Sequence, residues 1–235
     1  MSSNQGRILL LTNDDGVEAP GIGALVEATK GLGRCRVVAP SDHSSGCSHA
    51  VKTHGPIAIT QRPYGRTAVA GSPADCVRVA LIRLEPAFDW VVSGINAGGN
   101  LGGDLHHSGT VAAARESVLR GRPGIAVSHF IARNKTIDWN RAARWTTLVL
   151  RRLMEMPWEP GTFWNVNLPH PDANASDPEV VFCPVDPSPL PLDFRFNPDG
   201  GEAHYSGDYQ SRLRAPGTNV DVCFGGRIAV SLVRV

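Results

Sequence analysis

The sequence predicts an α/β fold: a Rossmann-like, mostly parallel sheet with helices on both faces, followed by a loop-rich C-terminal part. Short apolar runs at 7–12, 35–39, 90–93 and 124–128 lack polar alternation, as in strands buried on both faces. Segments with helical spacing lie between them, the pattern that builds a parallel sheet covered on both sides. After position 157 the texture changes, because ten prolines between 157 and 198 leave room only for short strands.

The first strand, Arg7 to Thr12, stops at Asn13-Asp14-Asp15-Gly16, and Pro20 opens a helix that runs toward Gly33. The second strand, CRVVA, leads into a polar loop holding Ser44-Ser45-Gly46. Residues 56–60 and 66–70 can pair as a hairpin across Arg62-Pro63-Tyr64-Gly65. Ser72-Pro73-Ala74-Asp75 has the order of a helix start, with a capping serine, a proline and an acid in the first turn, and predicts a helix to about Leu84. The third strand, WVVS, precedes a loop from Gly94 to Gly109 with six glycines, then a small-residue helix ending at Gly121. GIAVS is a fourth strand, and residues 139–154 read as a long amphipathic helix. Short strands are expected at 163–167, 180–183 and 227–233. The chain is expected to divide into a core over 1–156 and a loop-rich part over 157–235 that completes the same domain and serves as a possible oligomerisation arm.

Composition narrows the function. With 42% hydrophobic residues the chain can bury a sizeable core, and 23 basic against 22 acidic residues leave no basic footprint for a nucleic-acid polymer or an anionic membrane. The N-terminal apolar run is too short for a membrane span and lacks a signal-peptide layout, so a cytoplasmic protein is expected. Five scattered cysteines without a C-x-x-C pair suggest neither a disulfide framework nor a zinc ribbon.

In open α/β sheets the ligand lies outside the carboxyl ends of the strands. Three such ends carry chemistry: Asn13-Asp14-Asp15-Gly16, Ser44-Ser45-Gly46 and Gly94-Ile95-Asn96-Ala97-Gly98. Adjacent carboxylates repel unless a cation sits beside them, and oxygen ligands of this kind suit a hard divalent ion such as magnesium, calcium or manganese. Ser45 and Asn96 can add neutral oxygens. The Gly94–Gly109 loop runs into a helix start at Ser108-Gly109-Thr110, where backbone N–H groups and hydroxyls can surround a phosphate. His106 and His107 in that loop can donate to a phosphate, protonate a leaving oxygen or face solvent.

The stretches ILLLTNDDGVEAPGI, VVAPSDHSSG, AGSPADCV, WVVSGINAGGNLGGDLHHSGTVAAARES and NVNLP together resemble the SurE (survival protein E) family of 5'/3'-nucleotidases. The resemblance covers most of the first 130 residues. It implies phosphomonoester hydrolysis on nucleoside monophosphates and one divalent cation per subunit, Mg2+ or Mn2+. It places the metal ligands at Asp14, Asp15, Ser45 and Asn96, the phosphate contacts at Asn13, Gly46, Asn96, Ser108, Gly109 and Thr110, and catalysis at Asp14, Asp15 and Asn13. The tyrosine usual before Ser-Gly-Thr in that family is His107 here, a possible leaving-group contact. Family members also commonly exchange C-terminal segments. Here only Arg234 and Val235 follow the last strand-like run, so a homodimer held by the 184–216 arm or the 56–70 hairpin is expected instead. Two other readings are a non-catalytic nucleotide-binding or regulatory protein and a nucleotide-sugar-dependent transferase.

Overall fold

A computed structural model describes residues 6–85, 87–172 and 174–235. In chain order the elements are β1 (Ile8–Thr12), α1 (Pro20–Ala28), β2 (Arg34–Pro40), β3 (Ile59–Gln61), β4 (Thr67–Val69), α2 (Pro73–Val79), β5 (Trp90–Ala97), α3 (Gly109–Leu119), β6 (Gly124–His129), α4 (Trp139–Glu155), β7 (Thr162–Leu168), β8 (Val180–Phe182), β9 (Phe194–Phe196), β10 (Ala203–Tyr205), α5 (Asn219–Phe224) and β11 (Ile228–Arg234). A nine-stranded sheet runs in the order β3-β4-β2-β1-β5-β6-β7-β11-β8, and β9 pairs antiparallel with β10 in a separate two-stranded sheet. From β4 through β7 the sheet is parallel, while β3 and β11 run antiparallel to β4 and β7.

The apolar strands are buried on both faces for the reason the sequence gives. Leu9 and Leu11 of β1 pack with Ile22 and Leu25 of α1 and Leu150 and Leu153 of α4, whereas Leu10 packs with Cys76 and Val77 of α2 and Ala113 of α3. Each fully buried leucine contributes about 1.5–3 kcal/mol relative to exposure. Helices α1 and α4 therefore cover one face, and α2 and α3 the other.

Helix α2 starts as its sequence predicts: Ser72 Oγ accepts from Asp75 N (3.1 Å) and Asp75 Oδ2 accepts from Ser72 N (3.1 Å). Asp75 also accepts from Lys52 N through both oxygens, which holds the chain leading out of the Ser44–Ala50 loop. Beyond Val79 the helix loosens into a π-type turn over Ala80–Leu84.

Three expectations are modified. The third strand does not end at Ser93 but continues to Ala97, so Asn96 sits at a strand end instead of within a loop. Its register against β6 slips between Ser93 and Asn96 by one extra residue, a bulge that re-aims the strand. Gly94 permits it, with φ at +141° and no room for a side chain, since a Cβ would fall 2.2 Å from Val127 O. The hairpin is shorter than expected, and its β4 also pairs with β2, so it extends the main sheet. The loop-rich C-terminal part holds β9, β10 and α5, which are too short to show a period.

Candidate active site

Chain order reverses between β1 and β5: from β1 the chain moves outward to β2, then returns on the other side at β5. Such a switch point leaves a crevice beyond the carboxyl ends of the two strands. There Ser44 N donates to Asp14 O (2.7 Å) and Val17 N to Pro40 O (2.9 Å), which join the loop after β1 to the loop after β2.

Asp14 is almost fully buried, against the first turn of α3. Thr110 Oγ1 donates to Asp14 Oδ1 in a short hydrogen bond. Burial raises the Asp14 pKa most, the Thr110 hydroxyl opposes this, the neighbouring Asp15 charge raises it again, and the Thr110 amide favours the ionised form; the net displacement is upward. Asp15 is bonded to the strand end that bears Asn96: its Oδ2 accepts from Ala97 N (3.2 Å), and its Oδ1 lies 3.6 Å from His43 Nδ1.

A cleft of about 260 Å³ gathers Asp14, Ser45, Gly46, Asn96, His107 and Ser108. Asn13, Asp15, Gly109 and Thr110 do not line it. Asn13 is buried, its Nδ2 donating to Gly16 O (2.8 Å), while its Oδ1 has no partner among the described residues. Gly109 and Thr110 stand behind Asp14. Ser108 caps α3, its Oγ accepting from Val111 N (3.0 Å), so its hydroxyl proton remains available. The loop carrying Ser45 is anchored by Ser48, whose N donates to His107 O (3.0 Å) and Oγ to His106 O (2.7 Å), and by the contact of His49 with buried Glu116 (2.8 Å).

The glycine-rich loop differs from expectation. Its amides do not converge on an open anion seat, because Gly98 N donates to His129 O, Asn100 N to Asn167 Oδ1 and Gly102 N to Asn219 Oδ1. The loop is instead a wall, held by protein groups.

Two residues of that wall were missed by the sequence reading. Asp104 Oδ2 accepts from Tyr209 Oη (2.8 Å) and Arg212 Nη1 (2.6 Å), and Arg212 Nη2 donates to Leu101 O (3.1 Å). Tyr209 lines the cleft beside Asn100 and Asp104. Burial and then the Asp104 charge push its phenol far above the usual range, so it stays a donor. No local signal marks Tyr209 and Arg212, which reach Asp104 from more than a hundred residues away.

The oxygen-rich donor set fits a hard cation. Asn96 Nδ2 is committed to Gly98 O (2.8 Å), which leaves its Oδ1 as the free donor atom beside Asp14 and Ser45. Among the described residues no group of three or more His, Cys, Asp or Glu is placed to hold a metal ion; beside Asp14 the cleft offers the neutral oxygens of Ser45 and Asn96.

Comparison with known proteins shows the family and the fold. The family described as Survival protein SurE matches residues 9–185. The chain belongs to the SurE family. A Nostoc sp. protein described as "Putative 5'-nucleotidase" is 49% identical over 227 residues, covering 97% of this chain and 99% of that protein. The "5'-nucleotidase SurE" of Geobacter sulfurreducens is 38% identical over 231 residues, covering 95% and 86%. The crystal structure of the SurE protein from Aquifex aeolicus superposes with a TM-score of 0.83 at 31% identity, covering 97% of this chain and 93% of that one. The SurE-family match includes every cleft residue named above except Tyr209, which follows the matched region.

Proposed function

We propose that this SurE-family chain is a divalent-metal-dependent phosphatase, a phosphoric monoester hydrolase of the 5'-nucleotidase type acting on nucleoside monophosphates or related small phosphorylated metabolites. The observation that carries the reading is Asp14 buried against the N-terminus of α3 in the switch-point cleft, with Ser45 and Asn96 oxygens beside it. The names of the relatives support the same activity.

Asp14, Asp15, Ser45 and Asn96 would hold the cation, Mg2+ or Mn2+, which supplies charge against a phosphate oxygen and acidifies bound water. The chain's own part is positioning. Ser108 and Gly46, which line the cleft, would present donors to the phosphate, where phosphoryl transfer gains most of its catalysis, while Gly109 and Thr110 hold Asp14 from behind. Asn13 braces the Asp14 loop through Gly16. His107, exposed at the cleft, is placed to meet the leaving oxygen, and the Asp104–Tyr209 pair forms part of the cleft wall. A pure binder gains little from two adjacent carboxylates beside a phosphate, which disfavours the non-catalytic reading.

The reading includes a cytoplasmic setting and a homodimer. Five free cysteines and, among the described residues, no helix long and apolar enough to cross a membrane are compatible with the former. Exposed Leu192, Phe194, Phe196 and Tyr205 on the β9–β10 arm support the latter.

Phosphate release from a panel of nucleotides and sugar phosphates, with and without metal, tests the function. Chelation and Asp14→Asn should each abolish release while the fold persists. Near-normal turnover in either case would remove the metal mechanism.

A further inference from the structure

Ser45 and Gly46 line the cleft, yet among the described residues neither makes a hydrogen bond to the rest of the protein. Their position is therefore set from the two ends of their loop. At one end Ser44 N donates to Asp14 O (2.7 Å). At the other, Ser48 turns the chain with φ at +52°, a left-handed conformation that residues with a β-carbon adopt only at a cost. Donation from Ser48 N to His107 O and from Ser48 Oγ to His106 O holds one flank of that turn, and the side chain of His49 holds the other.

His49 reaches Glu116 on α3, the same helix whose Thr110 bonds Asp14. The Glu116 side chain is 3% exposed, and its Oε1 is taken by Arg120 Nε and Nη2 (both 2.8 Å), with Arg78 Nε at 3.8 Å. Its Oε2 has His49 Nε2 (2.8 Å) as its one partner among the described residues. Burial pushes the Glu116 pKa up, but His49 and Arg120 outweigh this and hold it below the usual carboxylate range. The carboxylate is therefore ionised and can only accept, so His49 Nε2 is the donor. A buried carboxylate oxygen stripped of its donor is costly, which makes this contact a strong one.

We propose that His49 is a positioning residue for the cleft: by tying the loop to Glu116 it makes α3 set how far Ser45 and Gly46 stand from Asp14. The inference rests on the cation role given above to Asp14 and Ser45. Because α3 holds Asp14 through Thr110 and the loop through Glu116, both sides of the cleft are referred to one rigid element. A small hard cation tolerates little displacement of its oxygen ligands.

Titration calorimetry of the full chain with Mn2+ alone tests this latch without turnover. His49→Ala, and His49→Leu, which keeps bulk but has no donor, should each weaken Mn2+ binding about tenfold or more, as does loss of a group that orients a metal ligand. His49→Gln, whose Nε2 can donate to the same oxygen, should recover most of the affinity. Ser45→Ala should also weaken binding, and adding His49→Ala to it should cost little more, since residues acting through one contact are not additive. The latch alone is overturned if Asp14→Asn loses Mn2+ while His49→Ala or His49→Leu binds as the wild type does, if His49→Gln is as impaired as they are, or if the His49→Ala loss is undiminished in the Ser45→Ala background. Wild-type protein that binds no Mn2+, or binds it no better than Asp14→Asn, overturns the cation site itself and the latch with it.

Discussion

Gly109 lies so close to Asp14 that a β-carbon on it would fall 2.9 Å from Asp14 Cβ and 3.1 Å from Oδ2, with Cys47 Sγ at 2.8 Å on the other side. A helix start can face this carboxylate only if its first residue has no side chain. Gly109→Ala is therefore expected to displace Asp14 and lower turnover at least tenfold, equivalent to about 1.4 kcal/mol of barrier. Overpacking should cost about 1–3 kcal/mol of stability. Steady-state kinetics alongside thermal denaturation would check this, and unchanged turnover would show that the contact is not functional.

Thr110 is the next residue to test, because its hydroxyl donates directly to Asp14. Thr110→Ser keeps the donor and should retain most activity. Thr110→Val keeps the shape and should lose about tenfold or more in kcat, the consequence of removing one hydrogen bond to a charged group. Equal activity in the two variants would mean that the bond only aids packing.

Arg212 joins the C-terminal segment to the cleft wall through a side chain that is 2% exposed and bonded to Asp104. Arg212→Met leaves the carboxylate without its cation and should destabilise the fold by about 3–5 kcal/mol. In the folded fraction KM should rise more than kcat falls, because the wall is displaced while Asp14 is untouched. A fall in kcat alone would contradict this division of roles.

Asp186 links stability to acid. Burial raises its pKa, but donors from Ser188 N, Ala215 N and Thr218 Oγ1 outweigh that and bring it down to about 2. A folded-state pKa below the unfolded value stabilises the protein above about pH 4, and that contribution is lost as pH falls toward 2. Asp186→Asn should lower Tm at pH 7 and make the decline of Tm between pH 4 and 2 shallower. Parallel acid-denaturation curves for the two proteins would exclude the linkage.

The proposed dimer depends on an apolar arm: Phe196 is 68% and Leu192 83% exposed. Leu192→Asp combined with Phe196→Asp should halve the mass seen by light scattering and leave the fold intact, since neither side chain is part of the core. A dimer that persists would move the interface elsewhere.

Local features were legible in the sequence where their cause is local. Apolar runs gave β1, β2 and β6 within a residue or two at each end, and Ser72-Pro73-Ala74-Asp75 contained a complete capping box. Asp14, Ser45 and Asn96 could be grouped because parallel strands bring their carboxyl ends to one side. The bulge in β5 was not legible, because it depends on how Gly94 meets Val127. The commitment of the loop amides was hidden as well: Asn167 and Asn219 are distant in sequence, and nothing beside them marks their targets. Tyr209 was lost among prolines for the same reason.

The nine-stranded sheet ends at both sides in a strand of three residues, β3 and β8. An open sheet border with unpaired N–H and C=O groups is a template for another chain, and its danger grows with the length of strand left unpaired. Here the unpaired border is broken into short steps: β3 and β8 have three residues each, and beside them only Arg34–Val37 of β2 and Ser231–Arg234 of β11 extend past β4 and β8. Self-association through side chains of the arm can therefore proceed without backbone pairing between copies, and growth of the sheet into a fibril has little on which to begin.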